Sequence, residues 1–214
     1  KDLNIRIIPN PLDTSVFKPL KRKTARKILD IKGDRPIILF GSLDGSKDIR
    51  KGSDFFEEII KNLYNELKDF EIITFGQKVS IKTIDGLSIR NLGNIRDQNK
   101  LAIIYSAANL MVIPSRLESF GQTASEAQSC GIPVIAFNTS GLKDIISSEE
   151  TGYLVNKFDC KEMSKKIISL LQNKKLAEEF SKNARVRALR KWSYKIVSEK
   201  YFDLYKTIKI KSDL

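Results

Sequence analysis

The span from Leu110 to Phe137 restricts the fold more than any other part of this chain. Leu110-Met-Val-Ile-Pro114 is an unbroken apolar run, and after a polar loop and a stretch of small residues a second run follows, Pro133 to Phe137. A strand with no polar face has both faces buried, which calls for a parallel sheet covered by helices on each side. Between the two runs, Ala124, Ser125, Ala127 and Ser129 predict a short, closely packed helix from about Gln122 to Cys130, stopped by Gly131 and Pro133.

The same alternation runs through the remainder. Further strands are predicted at Pro36 to Phe40, Phe70 to Phe75, Leu87 to Leu92 and Gly152 to Val155, separated by segments of helical period. Gly52 to Leu67 carries Phe55, Phe56, Ile59, Ile60, Leu63 and Leu67 at the spacing of an amphipathic helix, and Asp97 to Ala108 repeats it. Three helical stretches close the chain, at Cys160 to Gln172, Lys175 to Arg190 and Ser193 to Ile210. The expectation is an α/β protein with a doubly wound parallel sheet and extra C-terminal helices. With 214 residues, 41% of them apolar and 30% charged, there is material for one full core, so a single domain over residues 1–214 is expected.

Two carboxylates stand out in the loop-and-helix segment. Glu118 lies in the polar loop and Glu126 one turn inside the predicted helix, on either side of Phe120-Gly121. At that junction free backbone N–H groups and the positive end of the helix suit a phosphate, and glycine lets a ligand approach closely. Carboxylates flanking it can accept hydrogen bonds from sugar or ribose hydroxyls, so the pair reads as recognition chemistry before acid/base chemistry. Spacing alone carries little, because most paired carboxylates are simply solvated.

The full string does carry weight. Glu118-Ser-Phe-Gly-Gln-Thr-Ala-Ser-Glu126, followed by Cys130-Gly-Ile-Pro-Val134, resembles the Glu-x7-Glu signature of the family-four retaining glycosyltransferases, which have the GT-B fold. The likeness extends along nearly the whole chain. Ile8-Pro9-Asn10-Pro11-Leu12-Asp13, with Phe17 and Pro19, is similar to the family's entry into its C-terminal domain, and Ile37-Ile-Leu-Phe40, Gly41-Ser42 and Lys51-Gly52 to its first strand and phosphate-binding loop. Leu92-Gly93-Asn94-Ile95, Tyr105-Ser-Ala-Ala108 and Pro114-Ser115 lead into the signature; Ser140-Gly141-Leu142-Lys143-Asp144, Gly152-Tyr-Leu-Val155 and Trp192-Ser193 follow it.

This resemblance implies a Rossmann-like donor-binding half of a GT-B enzyme, with the N-terminal acceptor-binding domain absent from the chain. It implies a UDP- or GDP-linked sugar as donor, no cofactor, and transfer to an acceptor hydroxyl with the anomeric configuration retained, in polysaccharide, lipopolysaccharide or glycolipid synthesis. A chain holding only the donor half would bind nucleotide and transfer little sugar. Carried over residue by residue, Glu126 faces the ribose, while Glu118 and the backbone of Ser119, Phe120 and Gly121 face the transferred sugar. Gln122 and Thr123 lie nearest the phosphates, and Gly93, Asn94 and Ile95 receive the base. Lys51 neutralises the diphosphate, so that Lys51 and Glu118 are the candidate catalytic residues. The chain departs from the family pattern at Gly41-Ser42-Leu43, where an arginine usually follows the glycine, and in a longer loop from Asp44 to Arg50. Serine lacks the guanidinium's fork of donors, so Arg50 or Lys47 substitutes, or the loop grips phosphate less tightly.

Composition excludes several other chemistries. There is no histidine, hence no Ser-His-Asp or Cys-His site and no His-containing zinc site. Nor is there the Asp-x-Asp pair with which metal-dependent GT-A enzymes hold a cation, so no metal is expected and basic side chains and helix dipoles take its role. Cys130 and Cys160 form no metal or disulfide spacing, and no apolar window has transmembrane length; a cytoplasmic setting is expected. Net charge is +12, with Lys18, Lys21, Arg22, Lys23, Arg26 and Lys27 clustered in a run read as solvated surface. That surface suits peripheral contact with an anionic membrane at its inner face; without a binding motif or interleaved aromatics, nucleic acid is not expected as a partner. Two alternatives stay open: a glucan synthase or phosphorylase relative, and a non-catalytic module on the same fold.

Overall fold

The computed structural model describes residues 5–42, 48–76, 83–84 and 87–212, and a single sheet forms its centre. Its strands are β1 (Ile37–Ser42), β2 (Glu71–Gly76), β3 (Thr83–Ile84), β4 (Leu87–Asn91), β5 (Leu110–Ile113), β6 (Val134–Phe137) and β7 (Gly152–Val155), in the spatial order β3-β4-β2-β1-β5-β6-β7. All pairings are parallel except the short β3 against β4. From β1 the chain winds outward through β2 and β4, then returns to the middle at β5 and winds the other way. Rossmann-like double winding is therefore the observed architecture, as expected.

The central strands are largely apolar because they feed two cores at once. Ile37, Leu39, Ile73, Met111, Ile113, Val134 and Ala136 point into one, and Ile38, Phe40, Ile72, Leu110, Val112, Ile135 and Phe137 into the other. The first core is closed by α1 (Arg22–Ile28), α3 (Gln98–Ala107), α4 (Gln122–Ser129) and α5 (Leu142–Ile145). The second is closed by α2 (Ser53–Glu66) and α6 (Cys160–Gln172). The helix α7 (Lys174–Lys191) serves both, with Phe180 in the second core and Ala188 in the first. Last comes α8 (Tyr194–Ser212), which leaves Tyr194, Tyr201, Phe202 and Tyr205 exposed. No helix among the described residues is long and apolar enough to cross a membrane.

Expected and observed bounds differ by a residue or two, for local reasons. Pro36 and Pro133 precede their strands because proline has no N–H to give the ladder, yet their carbonyls accept from Glu71 and Met111 at 2.8 and 3.0 Å. Gly52 is the cap of α2 rather than its first residue. Asp97 caps α3, its carboxylate accepting from the Asn99 and Lys100 amides. The helices α1 and α5, the strand β3 and the 3-10 turn Ile49–Lys51 lie outside the predicted elements. Leu43, Asp44, Lys47 and Gln77 lie outside the described residues.

The basic run is corrected by α1. Arg26 is buried, and its guanidinium donates to the carbonyls of Ala107 and Gly33 and to Asn109 Oδ1, at 3.1, 3.3 and 3.0 Å. Arg22 donates to the Ala108 carbonyl at 3.1 Å. These two hold α1 against the end of α3; Arg26 alone of the run is buried, while Lys18, Lys21, Arg22, Lys23 and Lys27 remain exposed. The entry segment is tied down as well. The Leu12 amide donates to the Trp192 carbonyl at 2.7 Å, and Arg185 on α7 donates to the carbonyls of Phe17 and Thr14 at 2.8 and 3.1 Å.

Replacing Arg26 by methionine would keep the apolar stem and strand three acceptors. Arg26→Met should destabilise the chain by about 3 kcal/mol, whereas Lys27→Met should stay within about 0.5 kcal/mol of the parent in urea unfolding.

Candidate functional site

An open parallel sheet has its natural binding crevice where neighbouring strands send their chains in opposite directions, here between β1 and β5. After β1 the chain reaches the 3-10 turn Ile49–Lys51, capped by Asp48, whose Oδ1 accepts from the Arg50 amide at 3.0 Å. Gly52 then turns into α2 with φ 66°, and a side chain there would run into the Pro114 carbonyl at the end of β5. That close approach brings the two loops into register. Lys51 Nζ donates to Glu118 Oε1 at 2.8 Å, and Ser115 Oγ donates to the same oxygen at 2.9 Å. The Glu118 backbone is held from the other side: its amide donates to Ser140 Oγ and its carbonyl accepts from the Gly141 amide, both at 2.9 Å.

Below the ion pair lies a cleft of about 260 Å³ lined by Asp48, Arg50, Lys51 and the run from Leu117 to Gln122. Its floor is the start of α4. Gly121 sits at φ 91°, with Leu142 directly behind it, so only glycine fits between the cleft and the core. Gln122 and Thr123 follow at the helix start, where amides have no acceptor inside their own helix. The Phe120 ring turns away from the cleft and stands edge-on to Trp192 at 6.5 Å, leaving its backbone for a ligand.

Glu126 lies deeper along α4 and is half-buried. Tyr105 on α3 donates its hydroxyl to Glu126 Oε2 at 2.8 Å, and Gln122 Nε2 donates to Oε1 at 3.3 Å. Burial pushes the carboxyl above its ordinary value of 4.5, against the opposing pull of those two donors. Burial likewise raises the Tyr105 phenol well above its usual range, so it stays a donor. In the sequence Tyr105 stands only as a landmark of the family likeness. A tyrosine on the buried face of a predicted helix was the available signal, since its hydroxyl needs a partner.

The remaining expected residues divide. Gly41 packs against the Phe75 ring with no room for a side chain, and Ser42 pairs with Gly76 at the ends of β1 and β2. The Gly76 amide donates to the Gly93 carbonyl at 2.7 Å, which places Gly93 and Asn94 on the same rim, beyond the lining of the cleft. The Ile95 side chain belongs to the core, so this residue can offer a ligand only its backbone. Arg50, considered as the stand-in for the missing arginine, lines the cleft but forks onto both carboxylate oxygens of Asp48 at 2.9 Å. That ion pair holds the Asp48 carboxyl below the usual carboxylate range.

Comparison with known proteins bears on the same segments. The profile of the glycosyl transferases group 1 matches residues 21–187, which takes in both loops and all six parallel strands. The chain belongs to this family. Among curated relatives, the capsular polysaccharide biosynthesis glycosyltransferase CapM of Staphylococcus aureus is 30% identical over 163 residues, covering 69% of this chain and 43% of its own length. The chain thus spans less than half the length of that relative. Of solved structures, the C-terminal domain of a glycosyl transferase group 1 protein, LpcC, from Francisella tularensis aligns over 86% of this chain and 99% of its own, at 25% identity and TM-score 0.72. HepE of Anabaena, solved with UDP-glucose, shares the fold with TM-score 0.79 over 94% of this chain and 57% of its own, at 19% identity. The structure is a C-terminal GT-B domain.

Glu126 gives the site a pH signature. Its pKa is raised by folding, so its favourable contribution is present at low pH and is lost as pH rises from about 4.5 through the raised value. Glu126→Gln should therefore melt like the parent at pH 4 and above it at pH 8; an advantage equal at both pH values would contradict this account.

Proposed function

We propose that the cleft between β1 and β5 binds the diphosphate and sugar of a nucleoside-diphosphate sugar, and that the whole protein transfers that sugar to an acceptor hydroxyl. The observation that carries this reading is the meeting of Lys51 and Glu118 above the start of α4. A lysine, a glycine-led helix start and a carboxylate supply, side by side, what a diphosphate and a sugar hydroxyl each need. HepE, of the same fold, is known with UDP-glucose, and family membership adds to the same inference.

In this reading the donor diphosphate takes Lys51 from Glu118, and the freed carboxylate accepts from a sugar hydroxyl. Gln122 and Thr123 meet the phosphates, Glu126 accepts from the ribose hydroxyls, and the base rests near Gly93 and Asn94. The acceptor oxygen bonds to the anomeric carbon on the face the diphosphate leaves, and its proton passes to the departing phosphate. Configuration is then retained, and Lys51 stabilises the negative charge that develops on the leaving group, without a metal ion. In this reading the acceptor belongs to a second domain, and the exposed aromatic side chains of α8 offer that domain a contact surface. On its own the donor domain binds nucleotide and transfers little sugar.

Calorimetric titration with UDP, GDP and UDP-glucose tests this. One of the three should bind, and Lys51→Gln or Glu126→Ala should weaken it by roughly tenfold or more, the effect of losing one hydrogen bond to a charged group. No binding by any of them, or unchanged binding in Glu126→Ala, would overturn the reading.

For the place of action we propose the cytoplasmic face of a membrane, through exposed Lys18, Lys21, Lys23 and Lys27. Such contact is electrostatic, so the chain should sediment with anionic phosphatidylserine vesicles at low salt and not with neutral phosphatidylcholine vesicles. Equal sedimentation with both would remove the idea.

A further inference from the structure

The Lys51–Glu118 pair joins residues 67 positions apart, on loops that leave neighbouring strands in different directions. Something must hold those loops together while a ligand parts the pair. Arg116 occupies the position to do so. Its backbone amide donates to the Arg50 carbonyl at 2.7 Å, and its Nη1 donates to the Ile49 carbonyl at 2.9 Å. The same guanidinium forks onto Asp54 in the first turn of α2, with Nη1 to Oδ1 at 2.8 Å and Nη2 to Oδ2 at 2.6 Å. One side chain from the β5 loop therefore grips the β1 loop both before and after Lys51. Its Cζ also lies 4.1 Å over the Phe55 ring, which is stacked at 5.0 Å on Phe158 and so fixed in place.

Arg116 is not part of the cleft lining, so it acts from behind. With Asp54 more than half exposed, the charge attraction contributes little stability of its own. What the arginine supplies is geometry: a planar fork matched to a carboxylate, with a spare N–H for the Ile49 carbonyl. Lysine could keep the charge but not the three directed bonds.

We propose that Arg116, braced by Asp54, is a positioning residue that sets the height of Lys51 over the donor cleft and keeps it there when Glu118 is displaced. The proposal rests on the donor-binding reading for its functional consequence, though not for its structural one. A lysine held loosely would meet the diphosphate late and off-axis, and small misplacements at such sites reduce rates and affinities strongly.

Two measurements on Arg116→Lys and Asp54→Asn decide it. In amide hydrogen exchange both variants should open the segments 48–54 and 115–121 while 37–40 and 110–113 exchange as in the parent. Unchanged exchange in the two loops, or an increase spread over the whole sheet, would overturn the positioning role. In UDP titration Arg116→Lys should cost roughly tenfold in affinity in the parent and less than about twofold in a Lys51→Gln background, because the effect runs through Lys51. Equal losses in both backgrounds would also overturn it. A parent that binds no nucleotide would instead remove the donor reading, and the exchange result would still judge the loop clamp by itself.

Discussion

Covering a parallel sheet on both faces leaves its functional groups only the rim. The central strands β1, β2, β5 and β6 spend their apolar side chains on two cores, so the polar groups of the cleft come from the loops at the carboxyl ends and the helices that follow. Between β1 and β5 those loops diverge, and the gap they leave is the cleft. The placement of Lys51, Glu118 and Gly121 is thus a consequence of the winding of the chain. At the cleft, Gly52 and Gly121 leave no room for a side chain: one lies against the Pro114 carbonyl, the other against Leu142.

The site holds opposite charges in balance with few freedoms. Lys51 is paired with Glu118, Arg50 with Asp48 and Arg116 with Asp54, all in the two facing loops or the first turn of α2. On the donor reading proposed above, an arriving diphosphate would not meet bare cations but would exchange with carboxylates already in place. Such exchange favours a ligand that can satisfy the released carboxylate as well, which a sugar hydroxyl does and a simple anion does not. Glu126 expresses the opposite compromise. Its half-buried carboxyl is disfavoured by its surroundings and kept ionisable only by Tyr105 and Gln122. Retaining such a group against stability is a common mark of a binding site.

Much of this was legible in the chain itself, for identifiable reasons. Strands buried on both faces appear as unbroken apolar runs, and the helices between them carry stripes at i, i+3 and i+4, so sheet and winding followed. Glu118, Lys51 and the glycine turn were recognisable from their order and their flanks. By contrast α1 has only Ala25 and Arg26 buried, and its sequence RKTARKI shows no apolar stripe at all. Arg26 looked like surface because arginine usually is; its burial depends on carbonyls of Ala107 and Gly33 converging with Asn109. Arg116 gave no sign of its role, since its partners Ile49 and Asp54 lie more than 60 residues away.

The division between the two levels is physical. Hydrophobic period and turn chemistry act over a few residues, so sequence alone determined the alternation of strand and helix, the family likeness and the residue types available for binding. Pairings between distant residues depend on which strands become neighbours, and only the folded sheet decides that. It made Lys51 and Glu118 partners and placed Tyr105 beneath Glu126. By the same route it turned two members of a basic run into structural ties and set Arg116 behind the lysine it steadies.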